Sequence, residues 1–188
     1  MIYPIYAYGH PLLKKKAEPV ELKMEDIAPI VSDMCETMYH CKGVGLAAPQ
    51  IGLSIRIFVI DSTRLNADDE RKDRSEEGLK EVFINAEMID ETDGKVSLEE
   101  GCLSIPNIYG HVEREKKIKI RYHNAKLELV EKVFTGFTAR VIQHEYDHIE
   151  GLLFVEKLKP LKKQMIKRKL EDIKKGLISS RYKMKFAH

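Results

Sequence analysis

The run His144-Glu145-Tyr146-Asp147-His148 constrains this fold more than any other feature of the sequence. Residues four apart lie on one face of an α-helix, so a helix here directs both imidazoles at one ion, about 2.0–2.1 Å away. Glu145 lies beside them, where its carboxylate can accept a proton from a water that the ion activates. The pattern therefore predicts a helix that carries a hydrolytic metal site, and the rest of the chain has to supply a further ligand.

The third ligand is the open question, because two histidines do not make a tight site. In one class of zinc peptidase the pattern continues to a third histidine, but the corresponding residue here is Phe154, which cannot bind a metal. A second class uses a glutamate on a later helix, for which Glu171 is the candidate, although lysines crowd that segment. Cys102 is the better candidate, because a thiolate is a strong ligand for zinc or ferrous iron. A peptidase with Glu171 as ligand, and a non-catalytic RNA-associated domain with a structural metal, remain as alternatives.

Hydrophobic periodicity and turn residues indicate an α+β fold, which we expect to form one domain over residues 1–188. The predicted helices span 25–41, from Thr135 or Gly136 to about Ile149, and from Pro160 to about Gly176. The predicted strands cover 56–61, 82–89, 117–122, 126–133 and 152–158. Asp93–Gly94 is a predicted turn, and residues 62–81 are interpreted as an exposed loop because almost all of them are polar.

Charge and cysteine content narrow the class of protein. The formal net charge is +2, so the chain as a whole has no strong attraction to nucleic acid or membrane surfaces. Three cysteines in a chain of this length do not suggest a disulfide framework and fit a reducing cytoplasm. The sequence shows neither a secretory signal nor the roughly 20 apolar residues that a membrane span needs. Cys35, His40 and Cys41, at the end of an apolar helix, are interpreted as core or surface residues rather than a second metal site.

Three blocks of the sequence together resemble the peptide deformylase family. They are Gly43–Gln50, which reads GVGLAAPQ, then Glu100–Ser104, which reads EGCLS, and Gln143–His148, which reads QHEYDH. The resemblance runs from the segment near the N-terminus to the helix after Pro160. It implies a fold of antiparallel sheets packed around the helix with the two histidines, followed by a C-terminal helix. It also implies that the chain removes the N-formyl group from the N-terminal methionine of newly synthesised peptides and releases formate.

The same resemblance implies a role for individual residues. Metal-bound water would attack the formyl carbon, with Glu145 as the general base, while the side-chain amide of Gln50 and the backbone N–H of Leu103 stabilise the oxyanion. The metal would be ferrous iron, replaceable by zinc, nickel or cobalt. The implied metal ligands are Cys102, His144 and His148. The implied substrate-binding residues are Val44, Gly45, Gly101 and Val141.

Three further features add to or depart from this pattern. Tyr109 occupies a position where the family often has an arginine that holds the peptide downstream of the methionine, so peptide affinity is the property we expect to differ. The segment 157–175 is strongly basic, and the resemblance implies that the C-terminal helix contacts ribosomal RNA near the peptide exit. Arg114 is predicted to pair with Glu100 or Asp147 and brace the site.

Overall fold

The computed structural model describes residues 1–64 and 78–187 of the chain. Within these two stretches the chain forms three α-helices, which are α1 (Met24–His40), α2 (Gly136–Ile149) and α3 (Pro160–Lys174). It also forms seven strands, which are β1 (Ile5–Tyr6), β2 (Gly45–Ala47), β3 (Ile57–Asp61), β4 (Lys80–Cys102), β5 (Ile105–His123), β6 (Leu129–Thr135) and β7 (Met184–Lys185). The mixture of helices with antiparallel strands confirms the α+β prediction.

The main sheet has five antiparallel strands in the order β2-β3-β4-β5-β6. Strands β4 and β5 form a long hairpin, whose last pair joins Cys102 to Ile105. The chain therefore reverses at Leu103 and Ser104, which places the second of the three sequence blocks, EGCLS, at the hairpin turn. At the other side of the sheet, β2 is an edge strand and contains the Gly-Leu-Ala of the first block.

Strand β3 lies between two hydrophobic cores, because successive side chains of a strand point to opposite faces. Phe58 and Ile60 belong to the core that also contains Ile142 of α2. Ile57 and Val59 belong to a second core, together with apolar residues of α1 such as Met34. Burial on both faces explains why this strand is a continuous apolar run instead of an alternating one.

Helix α2 is the most buried helix, and eleven of its 14 residues are inaccessible or nearly so. It ends in a Schellman motif, in which Gly151 N–H donates to His148 O and Leu152 N–H donates to Asp147 O. Gly151 has φ +74°, and a Cβ there would approach the carbonyl of Lys14 to 2.8 Å. The helix is thus held inside the protein and stops immediately after its second histidine.

The predicted helices agree closely with the structure, and so does the strand at 56–61. The strands predicted at 82–89 and 117–122 exist but are only parts of the much longer β4 and β5, and the one predicted at 126–133 begins three residues before β6. Two local predictions are wrong. Residues 152–158 form no strand but a 3-10 helix, Phe154–Lys157, because they follow directly on the end of α2 and bury Phe154 and Val155 without a strand beside them. Asp93–Gly94 is not a hairpin turn but a bulge inside β4, where both residues have positive φ and the pairing with β5 continues. Most of the predicted loop 62–81 lies outside the described residues.

The chain beyond α3 returns to the body of the protein. Met184 and Lys185 of β7 pair in parallel with Ile5 and Tyr6 of β1. This segment, which we call the C-terminal tail (residues 177–187), therefore has a defined position next to the main sheet. None of the described helices is both long and apolar enough to cross a membrane.

Candidate metal centre

Cys102, His144 and His148 come together although they belong to different elements. The two histidines lie on one face of α2, and Cys102 reaches them from the hairpin turn between β4 and β5. One ligand atom of each residue lies within 4.8 Å of the others, and Cys102 Sγ is 3.3 Å from His148 Nε2. Ligands at about 2.0–2.3 Å from a tetrahedral ion are about 3.5 Å apart, so this spacing suits a metal. The donor set of one thiolate and two imidazoles suits zinc or ferrous iron.

A buried carboxylate orients the first of these histidines. Glu100 Oε2 lies 2.9 Å from His144 Nδ1. A carboxylate can only accept, so Nδ1 carries the hydrogen and Nε2 keeps its lone pair for a metal. Burial opposes ionisation of Glu100, but hydrogen bonds from His144 and Arg114 outweigh it and hold the pKa of this carboxyl well below its usual range. Glu100 is therefore a negatively charged acceptor that fixes the tautomer of His144.

Arg114 links this carboxylate to helix α2. Its guanidinium donates to both oxygens of Glu100, at 2.7 and 3.0 Å, and to Asp147 Oδ2 at 2.7 Å. The prediction that Arg114 pairs with Glu100 or Asp147 is therefore confirmed, and it pairs with both. Lys157 Nζ also binds Asp147, at 2.7 Å from Oδ2 and 2.9 Å from Oδ1. The result is a continuous charged network beneath the two histidines.

Glu145 lies beside the three candidate ligands and is only 5 % exposed to solvent. Its Oε2 is buried and has no hydrogen-bond partner among the residues that the structure describes. Burial raises the pKa of Glu145 to about 7. Gly45 makes room for it, because a Cβ at that position would be 2.8 Å from Glu145 Cγ and Cδ. The carboxylate therefore projects into the site with one oxygen available for proton transfer.

The amide of Gln50 is held in one orientation by the backbone. Its Oε1 accepts a hydrogen bond of 2.8 Å from Ala47 N–H, which leaves Nε2 as the donor on the side of the hairpin turn. There Nε2 lies 3.5 Å from Cys102 Sγ and 3.3 Å from Ser104 Oγ. The first and second sequence blocks therefore meet at the candidate metal site.

A cavity of about 860 Å³ opens onto this group. Its lining contains the predicted residues Val44, Gly45, Gly101, Cys102, Leu103, Val141, His144 and Glu145. His148 and Gln50 are buried next to Cys102 and are not among the lining residues. Tyr109 also lines the cavity and is 57 % exposed. Glu171, the alternative ligand, is exposed on α3 and is not part of the metal-binding group found in the described residues.

Several residues of the site were not predicted. Arg140 Nη1 donates to Glu100 Oε1 at 2.9 Å and to Val112 O at 2.8 Å. Its position four residues before His144 places it on the histidine face of α2, a spacing that could have indicated it. Lys157, ten positions after its partner Asp147, was not predicted either. The tail residues Ser179–Tyr182, which line the cavity, are distant in sequence from the three motifs, and no local pattern indicates them.

Comparison with known proteins agrees with these features. A family model described as polypeptide deformylase matches residues 2–164. A peptide deformylase of Christiangramia forsetii is 48% identical over 190 residues, which cover 99% of this chain and 96% of the relative. The crystal structure of a peptide deformylase from Legionella pneumophila superposes with a TM-score of 0.77 at 38% identity, over 94% of this chain and 98% of that one. The crystal structure of the peptide deformylase from Thermotoga maritima superposes with a TM-score of 0.73 at 40% identity, over 85% of this chain and 99% of that one.

Proposed function

The chain belongs to the polypeptide deformylase family, and from that premise we propose how its own residues carry out the family's reaction. Members are metal-dependent hydrolases that remove the N-formyl group from nascent peptides. Hydrolysis breaks the bond between the formyl carbon and the amine nitrogen, so the products are formate and a free amino terminus. The observation that carries the residue assignment is the meeting of Cys102, His144 and His148 within 4.8 Å at the floor of a cavity.

Cys102, His144 and His148 would hold the metal, which we propose to be ferrous iron, with zinc, nickel or cobalt as substitutes. When bound, the ion polarises the formyl carbonyl and makes a water more acidic. Glu100 supports the ligand set by accepting from Nδ1–H of His144, which orients the ring so that Nε2 is the atom available to the metal. The donor set accepts either iron or zinc, and supply in the cell contributes to the choice between them.

Glu145 is the proposed general base. Its Oε2 takes a proton from the attacking water and later gives a proton to the nitrogen of the leaving amine. A group that has to do both works best with a pKa near the operating pH, and burial raises that of Glu145 to about 7. Gly45 is required for this position of the carboxylate, because a Cβ there would collide with Glu145.

Gln50 and Leu103 are the proposed donors to the oxyanion. Attack on the formyl carbon moves negative charge onto its oxygen, and Nε2 of Gln50 and the backbone N–H of Leu103 lie beside the candidate ligand Cys102. Since Ala47 N–H holds the other end of the amide, Gln50 needs no reorientation when charge develops. Removal of one donor of this kind typically lowers the rate about 10²–10³-fold.

The peptide would bind along the cavity, in contact with Val44, Gly45, Gly101 and Val141. The edge strand β2 offers free backbone groups with which an extended peptide can pair. Formyl is the smallest acyl group, so a confined space at the metal favours it over acetyl. We propose that Tyr109, at the opening of the cavity, alters affinity for the part of the peptide beyond methionine.

The experiment that tests this function is formate release from an N-formyl-methionyl peptide under anaerobic conditions, with the protein loaded with ferrous iron. We expect turnover of the formyl peptide and little release of acetate from the matched N-acetyl peptide. Exposure to air should inactivate the iron-loaded protein, because iron or Cys102 oxidises, and should spare the zinc-loaded protein. Absence of formate from a metal-loaded protein would contradict the proposed substrate. If the iron-loaded protein kept its activity equally well in air and without oxygen, the assignment of iron as the native metal would be contradicted.

Arg114 offers a test of the charged network. We expect Arg114→Ala to weaken metal binding or turnover about 10–100-fold, because it releases both Glu100 and Asp147. Breaking a buried ion pair should also lower the free energy of unfolding by about 3–5 kcal/mol. Metal titration and denaturant unfolding measure the two effects.

The matched control is Arg121→Ala, which removes the exposed pair with Glu131. An exposed pair contributes about 1 kcal/mol or less, so this variant should keep both its metal and its stability. Wild-type metal affinity and rate in Arg114→Ala would show that the network does not brace the site.

We also propose that α3 contacts the ribosome and that the chain works in the cytoplasm as one catalytic domain, residues 1–188. Ile166 and Ile173 attach α3 to the core, while its basic residues such as Lys163, Lys167 and Arg168 are exposed. An exposed basic face suits the phosphates of ribosomal RNA. Co-sedimentation with ribosomes should weaken as salt rises and after charge reversal at these three positions. Ribosome binding that is unaffected by salt and by the charge reversals would contradict the contact.

A further inference from the structure

The family model matches residues 2–164, and residues beyond that range line the proposed substrate cavity. The C-terminal tail contributes Ser179, Ser180, Arg181 and Tyr182 to the lining. These four residues lie 31 to 34 positions after the nearest candidate ligand, His148, and 77 to 80 positions after Cys102. The family model therefore assigns them no part in the reaction, although they share a cavity with Glu145, Cys102 and His144.

Several contacts hold the tail in this position. Tyr182 Oη donates to the carbonyl of Leu103 at 2.7 Å, so the tail is bound directly to the residue after Cys102. Ile5 N–H and Ala7 N–H donate to Lys183 O and Lys185 O, both at 2.9 Å. The strand that receives the tail is itself attached to the same hairpin turn, through Tyr8 N–H and Ser104 O at 2.8 Å. The tail is therefore held by hydrogen bonds as a fixed wall of the cavity.

Arg181 is the residue of this wall whose charged group is available to bind a substrate. Its side chain is exposed, and it forms no hydrogen bond or ion pair with any residue that the structure describes. Its neighbour Tyr182 is fixed at Leu103, so the Arg181 backbone lies one residue, about 3.8 Å, further along the wall. Lys42 adds a second exposed positive charge to the lining, against one exposed carboxylate, Glu99.

We propose that Arg181 is a specificity-determining residue that binds an acidic side chain of the peptide substrate beyond its first residue. This inference rests on the proposed function. With the first residue and its formyl group placed at the candidate metal site, the residues that follow lie in the cavity that Arg181 lines, and the contact of Tyr182 with Leu103 holds Arg181 close to that site. A guanidinium there has five donors for a carboxylate and repels a lysine. The preference is an electrostatic one at an exposed position, so it is moderate and depends on salt.

The test compares formyl-methionyl peptides that differ only in glutamate or lysine at the second, third or fourth position, with formyl-methionine amide as a substrate too short to reach Arg181. We expect wild type to favour glutamate over lysine about two- to five-fold in kcat/KM at one of these positions, the range for an exposed ion pair. Arg181→Ala should abolish the preference and Arg181→Glu should reverse it. Neither variant should change turnover of formyl-methionine amide.

The matched control is Arg168→Glu, the same charge change on the exposed face of α3 and outside the cavity lining. It should leave the preference unchanged. An unaltered preference in Arg181→Glu, or an equal shift in Arg168→Glu, overturns the inference while the deformylase activity stands. Absence of formate from every peptide, wild type included, is the separate outcome in which the proposed function itself fails.

Discussion

Glu145→Gln is expected to lower formate release about 10²–10⁴-fold while the protein keeps its metal, because the amide cannot take the proton of the attacking water. Glutamine has almost the shape of glutamate, so the contact with Gly45 is preserved and the fold has no new cavity to accommodate. The loss should appear in kcat, since the proposed role of Glu145 is proton transfer and not substrate binding.

The measurement is steady-state formate release together with metal content on the same preparation. Glu99→Gln is the matched control, because Glu99 lines the same cavity but is exposed and outside the proposed catalytic group. It should keep nearly the full rate. A Glu145→Gln protein with a rate within tenfold of wild type would remove the general-base assignment. Equal loss of metal and rate would instead indicate that Glu145 acts by holding the ion.

Cys102→Ala is expected to reduce the metal content from about one ion per chain to a small fraction, and to remove activity with it. Alanine offers no ligand, and the two imidazoles of α2 do not hold an ion tightly alone. The expectation is specific to Cys102 among the three cysteines. Burial raises the pKa of the Cys41 thiol to about 11, so Cys41 is a poor ligand at neutral pH.

Metal analysis after anaerobic reconstitution measures this effect, and unfolding by denaturant shows whether the variant is folded. Cys35→Ala is the matched control, since Cys35 lies in α1 outside the candidate site, and it should bind metal as wild type does. Glu171→Ala should also keep its metal. Retention in Cys102→Ala combined with loss in Glu171→Ala would support the peptidase alternative in place of the present assignment.

Much of the site could be predicted because its signals are local. Helix geometry alone places His144 and His148 on one face, and Gly151 marks the end of that helix in both sequence and structure. The choice of Cys102 over Glu171 depended on ligand chemistry and on the neighbouring motif. The structure adds the reason, which is that the hairpin of β4 and β5 turns at Leu103 and Ser104 beside α2.

The local errors have a common cause. A segment forms a strand only when a neighbouring strand is there to pair with it. The local sequence of 152–158 does not show that such a neighbour is missing. The same holds for Asp93–Gly94, whose turn-forming residues are accommodated as a bulge because β5 continues to pair on both sides of them. In both cases long-range pairing decided the outcome against a plausible local signal.

By itself, the sequence determined the features that depend on spacing along one element or on ligand chemistry. These are the α+β class, the helix with two histidines and a glutamate, and a cysteine able to complete the ligand set. Only the tertiary structure decided which distant residues support them. Arg114 binds Asp147 across 33 positions, and Tyr182 binds Leu103 across 79. Such contacts arise from how the elements pack, and nothing in the local sequence around either partner encodes the other.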